Sequence, residues 1–228
     1  GNLLYSVGMI DEARELAQRN IDVVKQTGAT TLLTSCAECY RMWKVDYPKM
    51  LGISTADLGF QVVHLVEHVD ELMKKGALRL TNPVNLRLTY HDSCSLSRLS
   101  EPWVPWEGER GVWGTVSPPL ERRRGTNGVY QPPRDILSSI PGVELVEMIR
   151  MRENAFCCGA GRGTQEAFPD FALWAAEQRL EEAKEVGAEA IVSCCPWCKD
   201  NFATAVRKNG EDLKVLDISE LILAAISG

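Results

Sequence analysis

One arrangement of elements is written twice in this chain. The stretch "IDEARELAQRNIDVVKQTG" has helical periodicity and stops at Gly28, and "ATTLLTSC" then reads as a buried strand running into Cys36. Near the other end "FALWAAEQRLEEAKEVG" is a helix closed by Gly187, and "AEAIVSCC" is a strand that ends at cysteine. Laying Cys36 on Cys195, a shift of 159 residues, brings Ala17 onto Ala176, Lys25 onto Lys184, Gly28 onto Gly187, Ala29 onto Ala188 and Cys39 onto Cys198. Further on, "VVHLVEHVDEL" resembles "VLDISELIL", a short strand and then a polar start to a helix. Helix, strand, C-x-x-C, helix, strand and helix therefore occur twice, which predicts an α/β fold built from one duplicated module. Only two copies fit, so the chain is not a solenoid.

The same shift would place partners of Cys157 and Cys158 at positions −2 and −1, just ahead of Gly1. With no initiating Met either, the chain is expected to be a C-terminal fragment of a longer polypeptide. Residues 1–84 would then be the C-terminal part of a first module, truncated at its N-terminus, and residues 85–228 a complete second one. The alternative is a genuine short chain whose first half has degenerated. The passage between the halves lies near "KKGALRLTNPVNLRLTYHD", punctuated by Gly76, Asn82 and Pro83. One segment, about 99–128, breaks the alternation: "LSEPWVPWEGERGVWGTVSPPLERRRGTNG" holds three of the six tryptophans and four of the eleven prolines. An irregular stretch of that length is usually functional or an interaction surface. Trp103, Trp106 and Trp113 would grip a partner protein or line a substrate entrance, or else pack the loop onto its own domain; both readings stay open.

The eight cysteines fall as Cys36/Cys39, Cys94, Cys157/Cys158 and Cys194/Cys195/Cys198. A chain of 228 residues with 45% apolar side chains can build a real core and does not need disulfide staples. Tight cysteine groups in such a chain point to metal. Cys157 and Cys158 are adjacent, so they would close only a strained eight-membered ring if oxidised together. They are better used if each sulfur reaches a different metal atom of one cluster. The net charge of −6 and the lack of a long basic run argue against nucleic-acid binding. No stretch approaches 18 consecutive apolar residues, so no membrane span is expected. The opening "GNLLYSVGMIDEARELAQRN" has neither the basic nor the apolar region of a signal peptide.

In the second copy H-D-S-C ends at Cys94, C-C-G spans Cys157–Gly159 and C-P-W-C spans Cys195–Cys198; 62 residues separate Cys94 from Cys157 and 36 separate Cys158 from Cys195. This pattern resembles the CCG-domain, or cysteine-rich domain, family, which includes the B and D polypeptides of heterodisulfide reductase. The iron–sulfur subunits of glycolate oxidase, anaerobic glycerol-3-phosphate dehydrogenase and lactate-utilisation complexes belong to it too. The words "TYHDSC", "GVYQPPRDILSSIPGVELVEM", "FCCGAG", "VSCCPWC" and "TSCAECYRMWKVDYP" agree with it across nearly the whole chain. The resemblance implies two related Rossmann-like α/β modules in tandem, a tandem cysteine-rich CCG repeat. It implies a non-cubane [4Fe–4S] cluster on the second, held by Cys94, Cys157, Cys158, Cys195 and Cys198. Cys36 and Cys39 would form only a partial first site. Cys194 aligns with Ser35 and is expected to be a small buried residue or a thiol just behind the ligands. The gap after Cys94 is longer than usual for the family, and the Trp/Pro-rich segment accounts for it.

The implied function is that of an iron–sulfur oxidoreductase subunit resembling heterodisulfide reductase B/D. Electrons would come from a ferredoxin-like or flavoprotein partner and pass on to a small disulfide substrate. A subunit that only transfers electrons within a dehydrogenase or quinone-linked complex is the alternative. Labile thiolate clusters point to an anaerobic or microaerobic cytoplasm, with a membrane reached only through a partner protein. Zinc held by Cys36/Cys39 and Cys195/Cys198, and a metal-free thiol–disulfide oxidoreductase using C-P-W-C, are the competing chemistries.

Local chemistry adds further expectations. C-x-x-C opening a helix gives cluster sulfurs amide donors and a positive dipole end, and Pro196 suits the first helical turn. Gly159, Gly161 and Gly163 would let the backbone approach a cluster closely. His91 and Asp92 read first as an end-of-strand pair capping the next helix, and otherwise as groups that feed protons to a substrate sulfur or orient the cluster by hydrogen bonds. His64 and His68 read as surface or boundary residues. Arg122, Arg123 and Arg124 read as a solvated face of the long loop, or as a docking patch for an acidic carrier.

Overall fold

The computed structural model describes residues 1–120 and 125–226; Arg122, Arg123 and Arg124 lie outside the described residues. Helix α1 (Asn2–Ser6) leads into α2 (Ile10–Gln26), whose Ala13, Ala17 and Ile21 recur every fourth residue and bury one stripe. Gly28, at φ +71°, carries the chain out of α2 through a left-handed conformation. Strand β1 (Thr31–Thr34) follows. Helix α3 (Ala37–Arg41) then runs through a π-helical stretch, Met42–Asp46, into α4 (Tyr47–Leu51). Strand β2 (Gln61–His64) pairs parallel with β1, Thr31 opposite Gln61, and α5 (Leu65–Lys74) closes this half.

Strand β3 (Leu86–Tyr90) opens the second half. After it come a small antiparallel hairpin of β4 (Glu109–Arg110) and β5 (Val116–Ser117), then α6 (Gln131–Ser139) and β6 (Val143–Val146). Helices α7 (Thr164–Ala167) and α8 (Pro169–Glu185), strand β7 (Ala190–Ser193), α9 (Pro196–Asn209), β8 (Lys214–Asp217) and α10 (Ile218–Ile226) complete it. The sheet order is β6-β3-β7-β8, all parallel. Helices α6, α8 and α9 make the crossovers that parallel pairing requires. All four residues of β7 are buried, as a strand covered on both faces demands.

This is the expected α/β architecture, with one local difference. Strand β1 is not buried: Leu33 is 48% exposed, because among the described residues its sheet has only two strands and one face lacks cover. The main core runs through both halves. Tyr40, Val66 and Val69 pack in one cluster with Leu88, Leu137, Ile191 and Phe202, while α2 sits over a smaller cluster of Met42, Tyr47, Leu58 and Phe60.

The Trp/Pro-rich segment folds partly on itself. Trp106 Nε1 donates to the Pro118 carbonyl at 3.2 Å, and the Arg110 guanidinium stands over its ring. Trp103 and Trp106 line a cleft of about 490 Å³ with Arg41, Asp46 and Lys49 from the first half. Trp113, at the hairpin tip, is 97% exposed, so it is left almost bare by the described residues. Packing thus explains Trp106 and not Trp113.

His68 is exposed as expected, but His64 is only 1% exposed. It caps α5, its Nδ1 accepting the Val66 N–H at 3.3 Å, and its ring stands edge-on to Tyr40. A histidine that ends a strand and starts a helix serves both without reaching solvent. Burial lowers its pKa to about 4, against backbone hydrogen bonds at Ser35 and Cys194 that raise it. The folded state therefore prefers the neutral ring. Its contribution is complete above the unfolded value of about 6.5 and is lost as pH falls towards 4, about 3 kcal/mol in all. Urea denaturation of His64→Gln should show a correspondingly smaller acid loss than the parent between pH 7 and 4; equal losses would refute this.

Candidate metal centre

Parallel strands deliver their carboxyl ends to one edge of a sheet, and loops leaving that edge converge. Cys195 lies two residues beyond β7 and serves as the N-cap of α9, with Pro196 in the first helical turn. Cys36 stands in the same relation to β1 and α3. Cys94 follows β3 after His91, Asp92 and Ser93, and Cys157/Cys158 lie in the turn between β6 and α7. The fold thus brings four separate chain segments, one of them from the first half, towards one place.

Five sulfurs gather in a run at this edge, each close enough to the next to shift its titration. The Cys158 and Cys198 sulfurs lie within 4.8 Å of each other, and each thiol perturbs the titration of its neighbour, Cys94 with Cys157, Cys157 with Cys158, Cys158 with Cys198 and Cys198 with Cys195. Cys158, Cys195 and Cys198 are buried, Cys94 is half-buried and Cys157 is exposed. Hydrogen bonds from Cys158 and Cys94, and the Gly159 N–H at 3.4 Å, hold the Cys157 thiol far below its ordinary value. Contact with Cys157 and burial push Cys94 up, and contact with Cys158 and Cys195 pushes Cys198 up. Cys195 is lowered by its bond with Cys198.

Thiols pressed together this closely share protons poorly and are poised to give them up to a soft cation. The donor set fits an iron–sulfur group, for which thiolates are the usual ligands. A single tetrahedral ion would use four of the five.

Cys36 and Cys39 pair with each other instead, which lowers Cys36 to about 6 and raises Cys39. Cys36 still lies near enough to Cys195 for their charges to interact. Cys194 faces away from the run, in hydrogen-bond contact with Tyr90 Oη at 3.0 Å, and is fully buried.

His91 and Asp92 do not cap a helix. Asp92 accepts two bonds from Arg134, both at 2.8 Å, and the Arg152 N–H at 2.7 Å, so it ties β3 to α6 and to the turn leading into Cys157. His91 Nδ1 accepts from Arg179 Nε at 3.2 Å, and a ring nitrogen of His91 lies within 4.8 Å of both the Cys158 and Cys198 sulfurs. Burial, aided by the Arg179 charge, holds His91 well below its ordinary pKa.

Sequence reasoning missed Arg179, which is 0% exposed inside α8. The signal was there: it falls on the apolar stripe Ala172, Ala175, Ala176, Leu180 and Ala183, at helical spacing, where a charge needs a partner.

One of the three glycines is required by the protein's own packing. Gly159, at φ +87°, is required by α8: a Cβ there would meet the Ala172 carbonyl at 2.7 Å. A Cβ on Gly161 would lie 3.8 Å from Glu38, an ordinary contact, and Gly163 at φ +82° starts α7.

Beside the run opens a cleft of about 430 Å³. Cys94, Cys157 and Phe156 line it from the second half, and Glu38 and Arg41 from the first. Arg162 lines it as well, and both it and Arg41 are ion-paired to Asp46.

The chain is 36% identical over 229 residues to the D polypeptide of the dihydromethanophenazine:CoB–CoM heterodisulfide reductase of Methanosarcina acetivorans, an alignment covering 99% of this chain and 49% of that protein. It is 33% identical to the probable iron-sulfur-binding oxidoreductase FadF of Bacillus subtilis, over 94% of this chain and 26% of the relative. It is 29% identical to the B polypeptide of the fumarate reductase (CoM/CoB) of Methanothermobacter marburgensis, over 100% of this chain and 38% of the relative. The chain thus spans about half the length, or less, of the curated relatives it matches. The family model described as "cysteine-rich domain" matches residues 1–44 and 120–203; Cys94 falls between the two matched segments. With more than half of its residues matched by that model, the chain belongs to the CCG, cysteine-rich domain, family.

Proposed function

We propose that this chain is the iron–sulfur module of a multi-subunit oxidoreductase of heterodisulfide-reductase type. Residues 1–84 and 85–228 are two copies of one module, and the second holds a [4Fe–4S] cluster of non-cubane type. Cys94, Cys157, Cys158, Cys195 and Cys198 are its ligands, and Cys36 and Cys39 belong to a partial first site. The single observation that carries this reading is the convergence of those five cysteines on one edge of the sheet, Cys158 and Cys198 within 4.8 Å, Cys94 and Cys157 lining one cleft, and Cys195 capping the helix that carries Cys198. Five thiolates suit a cluster with several metal atoms and exceed what one zinc takes. Such a group supplies one-electron transfer when bound.

The chain's own contributions are separate from that chemistry. The α9 N-terminus and the Gly159 N–H offer donors to sulfur. The Asp92–Arg134 pair and Arg98, which donates to the Ala155 carbonyl, fix the turn that carries Cys157. The cleft leading to Cys94 and Cys157 favours access by a small molecule over electron transfer alone. A disulfide is the substrate, taking up two electrons and two protons to give two thiols, with electrons supplied by a ferredoxin-like or flavoprotein partner.

Anaerobically isolated protein should carry about four irons and matching acid-labile sulfide per chain, as a [4Fe–4S] group with thiolate ligands requires. Cys157→Ser should lose most of both. One zinc per chain in place of iron would end this reading. Reduction of a low-molecular-weight disulfide with an artificial donor should follow; a protein that accepts electrons without turnover is an electron-transfer module instead.

A further inference from the structure

His91 stands where a third ligand to Cys158 and Cys198 would stand, with one nitrogen within 4.8 Å of both sulfurs. Its hydrogen bonds argue for a different role. Nδ1 faces Arg179 Nε at 3.2 Å, and a guanidinium has only donors. Nδ1 must therefore present its lone pair, and the neutral ring carries its proton on Nε2. That nitrogen is buried and has no hydrogen-bond partner among the described residues. A ligating histidine needs the opposite arrangement, a lone pair towards the metal and the other N–H given to a carbonyl or carboxylate. Here that would set two donors against each other.

Arg179 cannot swing away. It also donates to the Arg150 carbonyl at 2.7 Å and is ion-paired with Glu182. The imidazole itself stands edge-on to Phe202, centroids 4.9 Å apart.

We propose that His91 is a positioning residue for the cluster and not a ligand: its Nε2–H donates a hydrogen bond to sulfur on the Cys158–Cys198 side, with Arg179 fixing the tautomer. This rests on the iron–sulfur reading above. Reduction adds negative charge to the sulfurs and strengthens such a bond, so His91 raises the reduction potential of the centre.

The test compares His91→Leu with His91→Gln in anaerobically isolated protein. Glutamine can place an amide N–H where Nε2 lies; leucine cannot. Iron and sulfide contents should match the parent in both. In potentiometric titration followed by EPR, the midpoint should move to more negative potential in His91→Leu and stay near the parent in His91→Gln. Equal shifts in the two variants, or none in either, overturn the proposal. So does strong nitrogen hyperfine coupling in the parent, the mark of a histidine bound to iron. Should the leucine variant fail to fold, nitrogen-15 NMR of the parent's imidazole still decides, since a proton on Nδ1 overturns the assignment. A parent devoid of iron sinks the metal reading, while the imidazole measurement continues to judge the tautomer by itself.

Discussion

Replacing Asp92 with alanine is expected to destabilise the fold by about 3–5 kcal/mol, the usual cost of removing one partner from a buried ion pair. The carboxylate side chain is 0% exposed and that of Arg134 is 5% exposed, so water cannot substitute for the lost partner. Arg134 would keep Glu147, at 2.6 Å, but that carboxylate is partly in solvent and already engaged. The Arg152 N–H would lose its acceptor as well, at a residue held in a left-handed conformation, φ +57°. That turn leads to Cys157, so iron retention should fall along with stability. Urea denaturation measures the first effect and metal analysis the second. A loss below about 1 kcal/mol would place this pair with ordinary surface bridges and refute the argument.

Gly159→Ala should be nearly as damaging, at about 2–5 kcal/mol. A non-glycine residue at φ +87° costs about 1–2 kcal/mol, and forcing a methyl to 2.7 Å from the Ala172 carbonyl costs about 1–3 more. Helix α8 would have to withdraw, taking with it Arg179 and the support behind His91. Gly161→Ala, two residues on, should change stability by no more than about 0.5 kcal/mol. Denaturation midpoints of the two variants, read beside iron content, check the contrast. If both behave alike, the glycines share one role and the α8 explanation is wrong.

The duplicated pattern made the α/β class and most elements readable from the residues. Strands that stop two residues short of Cys36 and Cys195, helices opened by those cysteines, and the left-handed glycines Gly28 and Gly187 are local events with local signals. What escaped depends on partners distant in the chain. His64 reads as a surface residue because nothing nearby shows that the second half covers it. Asp92 and His91 look like a cap because Arg134 and Arg179 lie 42 and 88 residues away. The burial of β1 was overestimated because an apolar run does not say how many strands will flank it. The grouping of cysteines was legible; the identity of the residues that hold their turns in place was not.

The long Trp/Pro-rich excursion leaves the chain just past Cys94 and rejoins it before α6, without interrupting β3 or the strands beside it. Lengthening such a tether leaves the thiol-bearing turns anchored by the sheet beneath. The length and shape of that loop are therefore set independently of the sheet edge on which the cysteines stand.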